Sequence, residues 1–141
     1  MCLDNIKFGE LFPDCDYKSM SALSLAFIGD AVYEIFIRQN ILSKGDARVK
    51  ALHNDCVRLV NADFQAEMAD IFLPLLTDEE LAVYKRGRNA HAGHTPKNKS
   101  EATYHKSTGF EALIGFLYLK KDYDRLFYFF SLILKQGENN E

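Results

Sequence analysis

Ala26-Phe27-Ile28-Gly29-Asp30-Ala31-Val32-Tyr33-Glu34-Ile35-Phe36-Ile37 is apolar almost without interruption, yet it carries Asp30 and Glu34 in its middle. With Ser19 or Ser21 as its cap, the stretch predicts a first long helix ending near Asn40. On that helix Leu23, Leu25, Phe27, Ile28, Val32, Ile35, Phe36 and Ile37 leave little polar face. A helix apolar nearly all round is expected to be central and buried. Phe110-Glu111-Ala112-Leu113-Ile114-Gly115 repeats the arrangement far down the chain. An ionised carboxylate in such a place is costly unless something positive pairs with it, so two in similar settings suggest a shared cation. A metal-dependent phosphodiesterase would be built this way. The alternative is that each acid caps or pairs with a neighbouring structural group.

The remaining segments read as further helices. Lys44-Gly45-Asp46 is a turn, and a second helix is predicted over residues 46–71, with Val49, Leu52, Cys56 and Leu59 at helical spacing. Thr77-Asp78-Glu79-Glu80 has the form of a capping box and starts a third helix reaching about Arg88. Residues 89–99, with Gly93, Pro96 and Asn98, read as a loop. A fourth helix follows Ser100 and ends near Lys120, and Asp122 is placed to cap a fifth with Leu126, Phe127, Phe130, Ile133 and Leu134 on its apolar side. No stretch has a strand pattern, so the expected fold is an all-α helical bundle.

The chain of 141 residues fits one domain, 1–141, with a sizeable core. A formal net charge of −3 argues against a uniformly basic nucleic-acid binder but not against a local basic patch. Cys2, Cys15 and Cys56 have no metal-ligand spacing and cannot all pair internally, which suits a reduced compartment. The start lacks a basic region followed by an apolar one, and the longest apolar runs are too short to cross a bilayer. A cytoplasmic protein with no membrane partner is expected.

Asp30 shares its helical face with Ala26, Phe27, Tyr33 and Glu34, and Glu111 with Ser107, Thr108, Ile114 and Gly115. If the two helices pack side by side, Asp30 and Glu111 can face each other. Hard oxygen ligands suit Mg²⁺, which keeps several waters and needs only one or two carboxylates; Mn²⁺ is a possible substitute. Thr108 and Glu34 are candidates for an outer shell, although Arg38 stands four residues from Glu34 in the order that favours a helical ion pair. Between Lys85 and Lys106 there are six Lys or Arg against one acid, Glu101, a net +5 that leaves −8 on the rest of the chain. A phosphate backbone would be drawn to that segment. Lys85, Arg86, Arg88, Asn89, Lys97, Asn98 and Lys99 are the candidate contacts, against the reading of a merely solvated basic loop. His91, His94 and His105 form no zinc signature. Asn61 and Gln65, on one helical face, could reach a ribose or simply be hydrogen-bonded internally.

These residues resemble the catalytic domain of ribonuclease III. Ala26-Phe27-Ile28-Gly29-Asp30-Ala31-Val32 is similar to the family's first signature, which ends in Gly-Asp-Ala-Val. Thr108-Gly109-Phe110-Glu111-Ala112-Leu113-Ile114-Gly115 is similar to its second, Asp-x-Phe-Glu-Ala-Leu-Ile-Gly, in all but the first residue. The short bacterial branch, Mini-ribonuclease III, is the nearer likeness. It has Arg-Gly-Arg-Asn-Ala, then a Pro-Lys-Asn loop, then Tyr-x-x-Ser-Thr-x-Phe-Glu-Ala, here residues 86–90, 96–98 and 104–112. The resemblance covers about residues 20–135. Where full-length ribonuclease III has two further acids, this chain has Ala26 and Thr108, a reduction the short branch shares. Weaker metal binding is the expectation. The polar tail, 136–141, leaves no room for a double-stranded RNA-binding domain.

The resemblance implies a helical bundle of the ribonuclease III endonuclease-domain type and Mg²⁺-dependent hydrolysis of double-stranded RNA. Asp30 and Glu111 would be its catalytic residues and metal ligands, and the products would carry 5′-phosphates. It further implies precursor 23S ribosomal RNA as substrate, with ribosomal proteins possibly aiding selectivity. Cutting two strands needs two sites, hence a homodimer, with the buried face of the first helix and the aromatic C-terminal region as candidate interfaces. Two rivals stand beside this reading: a non-catalytic double-stranded RNA-binding module of the same fold, and a helical protein–protein adaptor.

Overall fold

The structure, a computed structural model, describes residues 7–90 and 99–140. Among them there are helices and no strands: α1 (Phe8–Leu11), α2 (Ala22–Ser43), α3 (Val49–Val60), α4 (Ala62–Phe72), α5 (Asp78–Arg88), α6 (Glu101–Lys120) and α7 (Tyr123–Asn139), with a 3-10 turn, Leu73–Leu75, after α4. The all-α expectation holds. Three starts are those the sequence predicted. Ser21 caps α2 by accepting from the Ser24 amide at 3.1 Å, and Ser100 caps α6 by accepting from the Thr103 amide at 3.1 Å. Thr77 and Glu80 form the reciprocal capping box of α5. Asp122 stands at the cap position of α7, but its side chain makes no cap hydrogen bond.

The expected second helix, 46–71, is two helices. Asn61 adopts extended backbone, φ −73 and ψ 159. Its side-chain oxygen accepts from the Phe64 amide, while its amide nitrogen donates back to the Val57 and Arg58 carbonyls. One side chain thus ends α3 and starts α4, which is why asparagine favours caps over helix interiors. The hydrogen-bonding reading of Asn61 is the one the structure supports, and Gln65 is buried.

The central helix is α6, not α2 as expected. Residues 107 to 110 and 112 to 117 are all buried, and α2, α4 and α5 pack around them. Small residues let α2 approach. A Cβ on Gly29 would stand 1.8 Å from the Glu111 carbonyl oxygen, and one on Gly115 would stand 2.0 Å from the Leu25 carbonyl oxygen. The pairing of 25 with 115 and 29 with 111 makes the two helices antiparallel. On the other side, Lys99 meets Asp63 at 2.5 Å and Lys106 meets Asp70 at 3.0 Å, equal steps that run α4 parallel to α6.

The aromatic core is continuous: Phe72 contacts Phe110 and Phe129, and Tyr33 meets Phe110 edge-on at 5.1 Å. The predicted polar tail is corrected too. Gln136 and Asn139 belong to α7, Gly137 is buried against Leu59, and Gln136 donates to Glu67 of α4 at 2.6 Å.

Candidate active site

Asp30 of α2 and Glu111 of α6 line one cleft of about 470 Å³, together with Glu34, Tyr104, Thr108 and Phe27. The glycine crossing puts them there. Asp30 follows Gly29, and Gly29 rests on the backbone of Glu111 itself. The two acids that the sequence separates are therefore neighbours.

Their electrostatics follow from that closeness. Burial, then the charges of Asp30 and Glu34, pushes the Glu111 carboxyl up to about 8. Asp30, though exposed, also lies above the ordinary carboxylate range, through desolvation by its apolar surroundings and then the charge of Glu34. No Lys, Arg or His lines the cleft among the described residues. Asp30 and Glu111 thus share a cleft with no cation lining it among the described residues, an arrangement that a divalent ion relieves. The donor set fits Mg²⁺: hard carboxylate oxygens, with water left to complete the coordination. Among the described residues no group of three or more His, Cys, Asp or Glu is placed to hold a metal ion.

Glu34 divides its charge. It lines the cleft, yet its carboxylate lies 3.8 Å from Arg38, the helical pair the spacing predicted. Thr108 also lines the cleft, but its hydroxyl donates to the Tyr104 carbonyl at 3.0 Å, so its proton is committed to the backbone.

The basic candidates are less uniform than their clustering suggested. Lys85 is exposed. Arg86 is tethered across the fold, donating to the Met20 carbonyl at 2.6 Å just before α2. Arg88 stacks over Tyr84 at 5.9 Å and donates to Asn89, the C-cap of α5, at 3.3 Å. Lys99 is paired with Asp63. Lys97 and Asn98 lie outside the described residues, as do His91 and His94.

Three contributors were quoted in the sequence only as parts of motifs, without a role of their own. Gly29 and Gly115 act through absent volume, which no single motif position announces. Tyr104 stands on the Glu111 face of α6, two helical turns earlier, and that spacing was the available signal. Phe27, expected to be buried, is 83% exposed beside the cleft. The outer face of α2, with Leu23, Phe27 and Ile35, is apolar and open, and beside it lies an apolar groove of about 590 Å³ between α2 and α7, lined by Val32, Phe36, Phe127 and Phe130. The buried face of α2 is spent on α6, so it is not free to form an interface.

Comparison with known proteins places the chain in a family. Residues 23–122 match the model of the ribonuclease III domain. The chain is 41% identical over 129 residues to a Mini-ribonuclease 3 of Enterococcus faecalis, covering 89% of this chain and 98% of that one. It is 43% identical over 133 residues to a Mini-ribonuclease 3 of Clostridium tetani, covering 94% and 88%. A crystal structure of a protein from Fusobacterium nucleatum superposes with a TM-score of 0.78 at 29% identity, covering 86% of this chain and 97% of that one.

Proposed function

The chain belongs to the ribonuclease III family, in its Mini-ribonuclease III branch, and from that premise we propose that it is a Mg²⁺-dependent endoribonuclease that cuts double-stranded RNA. The observation that carries the reading is the convergence of Asp30 and Glu111 in one cleft, with Glu111 held up to about 8 by burial and like charge. Asp30 and Glu111 would hold Mg²⁺ or Mn²⁺. When bound, such an ion supplies charge neutralisation at the phosphate and a more acidic water. Asp30 and Glu111 would orient that centre from two packed helices. Addition of water at phosphorus with departure of the 3′-oxygen leaves a 5′-phosphate on one product and a 3′-hydroxyl on the other. Lys85, Arg88 and Asn89, with Lys97 and Asn98 of the adjoining segment, would draw the RNA backbone. Arg86 and Lys99 would contribute from their tethered positions.

One chain offers one such cleft, so cutting both strands calls for a homodimer. The open apolar face of α2 and the groove beside α7 are the surfaces it would cover. The substrate we assign is precursor 23S ribosomal RNA in the cytoplasm, chosen by its shape or with ribosomal proteins. No helix among the described residues is long and apolar enough to cross a membrane.

The test is cleavage of a long RNA duplex by wild type, Asp30→Asn and Glu111→Gln, with Mg²⁺ or EDTA. Metal-dependent cutting by wild type alone, with both variants folded, is the expected result. Binding without cutting at every Mg²⁺ concentration would turn the reading to a non-catalytic RNA-binding module.

A further inference from the structure

The cleft offers an RNA duplex very few neutral hydrogen-bonding groups. It is lined by apolar side chains of α2 and by the acids Asp30, Glu34 and Glu111, and no cationic residue lines it among the described residues. Thr108 has its hydroxyl proton engaged by the Tyr104 carbonyl at 3.0 Å. The Tyr104 phenol remains. Its ring is half-buried at the edge of the cleft, and its hydroxyl makes no hydrogen bond among the described residues. The Tyr104 carbonyl accepts from both Ser107 and Thr108, at 2.8 and 3.0 Å, so the backbone that carries the ring is held in place.

We propose that Tyr104 reads the ribose: its hydroxyl bonds the 2′-hydroxyl of a nucleotide close to the scissile phosphate, making Tyr104 a specificity-determining residue for RNA over DNA. This rests on the nuclease reading above. With Asp30 and Glu111 committed to the metal, the phenol is the neutral group left at that edge of the cleft, and a 2′-hydroxyl, which is neutral and both donates and accepts, is a partner it can bond. Tyr104 lies seven residues from Glu111, roughly 10 Å along α6. The contacted sugar therefore lies within a few nucleotides of the cut.

The test is single-turnover cleavage, in Mg²⁺, of a synthetic RNA duplex carrying one 2′-deoxy sugar at a time around the cut, by wild type and Tyr104→Phe. The phenylalanine keeps the ring and its packing, and thermal melting checks that the fold is kept. Loss of one hydrogen bond predicts Tyr104→Phe about five- to tenfold slower on all-RNA duplex. At one nucleotide the deoxy sugar should slow wild type by a similar factor and slow Tyr104→Phe no further, the signature of a shared contact. Identical deoxy profiles for the two proteins, or a variant as fast as wild type, would overturn the assignment and leave the nuclease reading standing. A slower variant with an unchanged profile also overturns it, since the hydroxyl would then be touching something other than a 2′-hydroxyl. A wild type that cuts no duplex at all would remove the nuclease reading and this one together.

Discussion

Gly29 of α2 rests directly on the Glu111 carbonyl of α6, so close that a single added methyl would stand 1.8 Å from that oxygen. Gly115 makes the reciprocal approach to Leu25 one turn away. The site is thus an outcome of helix spacing: Asp30 and Glu111 share a cleft because nothing but hydrogen separates the two backbones beside them.

Gly29→Ala should therefore force α2 and α6 apart. Overpacking costs about 1–3 kcal/mol, occasionally more, and the obstacle at position 29 is backbone, which cannot rotate away. We expect a lower urea midpoint and a larger loss of divalent-cation affinity than Gly9→Ala, where the added carbon meets open space. Calorimetric titration with Mn²⁺ checks the second point.

The metal-free protein should lose stability as pH rises. Glu111 ordinarily titrates near 4.5 and in the fold is pushed up to about 8. Between those values the folded state holds more protons than the unfolded chain, so stability falls with rising pH across that window, by up to about 1.4 kcal/mol per pH unit. Melting in EDTA from pH 4.5 to 8.5 should show the decline, and Glu111→Gln should flatten it. Mg²⁺ added at pH 8 should restore part of the loss, because it favours the ionised pair.

Lys85 and Arg86 should separate in their effects. Lys85→Ala is expected to weaken duplex binding and reduce the salt slope by about one with unchanged melting. Arg86→Ala also breaks the bond to the Met20 carbonyl, so it should cost about 1 kcal/mol of stability as well. Salt-dependent binding and thermal melts on the same two variants check both.

Phe27→Glu should yield monomers. The ring is 83% exposed on a face that also shows Leu23 and Ile35, and a charge buried without a partner at a two-fold interface is costly. Sedimentation should report a dimer for wild type and a monomer for the variant, with double-strand cleavage reduced along with dimerisation.

Arg125→Ala should destabilise without touching the site. Arg125 donates to both oxygens of buried Glu80, at 2.8 and 2.9 Å. Removing it strands a buried carboxylate, a loss of about 3–5 kcal/mol, while the Mn²⁺ affinity of the protein still folded should be kept. Denaturant titration and calorimetry separate the two.

Local rules made much of this legible from the residues. The caps at Ser21, Thr77 and Ser100 obey hydrogen-bonding constraints that act within four residues, so their side chains alone announce them. Asn61 obeys the same constraint, but it sits inside an apolar pattern that continues on both sides, and the periodicity hid the break. Lys99 and Arg86 read as free cations because their partners, Asp63 and Met20, are distant in sequence.

By itself, then, the amino-acid sequence determined the helical class, most of the helix starts, and the two acids worth attention, since each depends on near neighbours along the chain. Tertiary structure alone decided that α6 and not α2 lies at the centre, that Phe27 faces outward, and that Asp30 and Glu111 share a cleft with Tyr104 at its edge. The physical reason is packing. Two helices can be equally apolar in sequence, and which one is enclosed depends on where glycines permit the closest approach of a second backbone, a property of the pair that neither helix possesses alone.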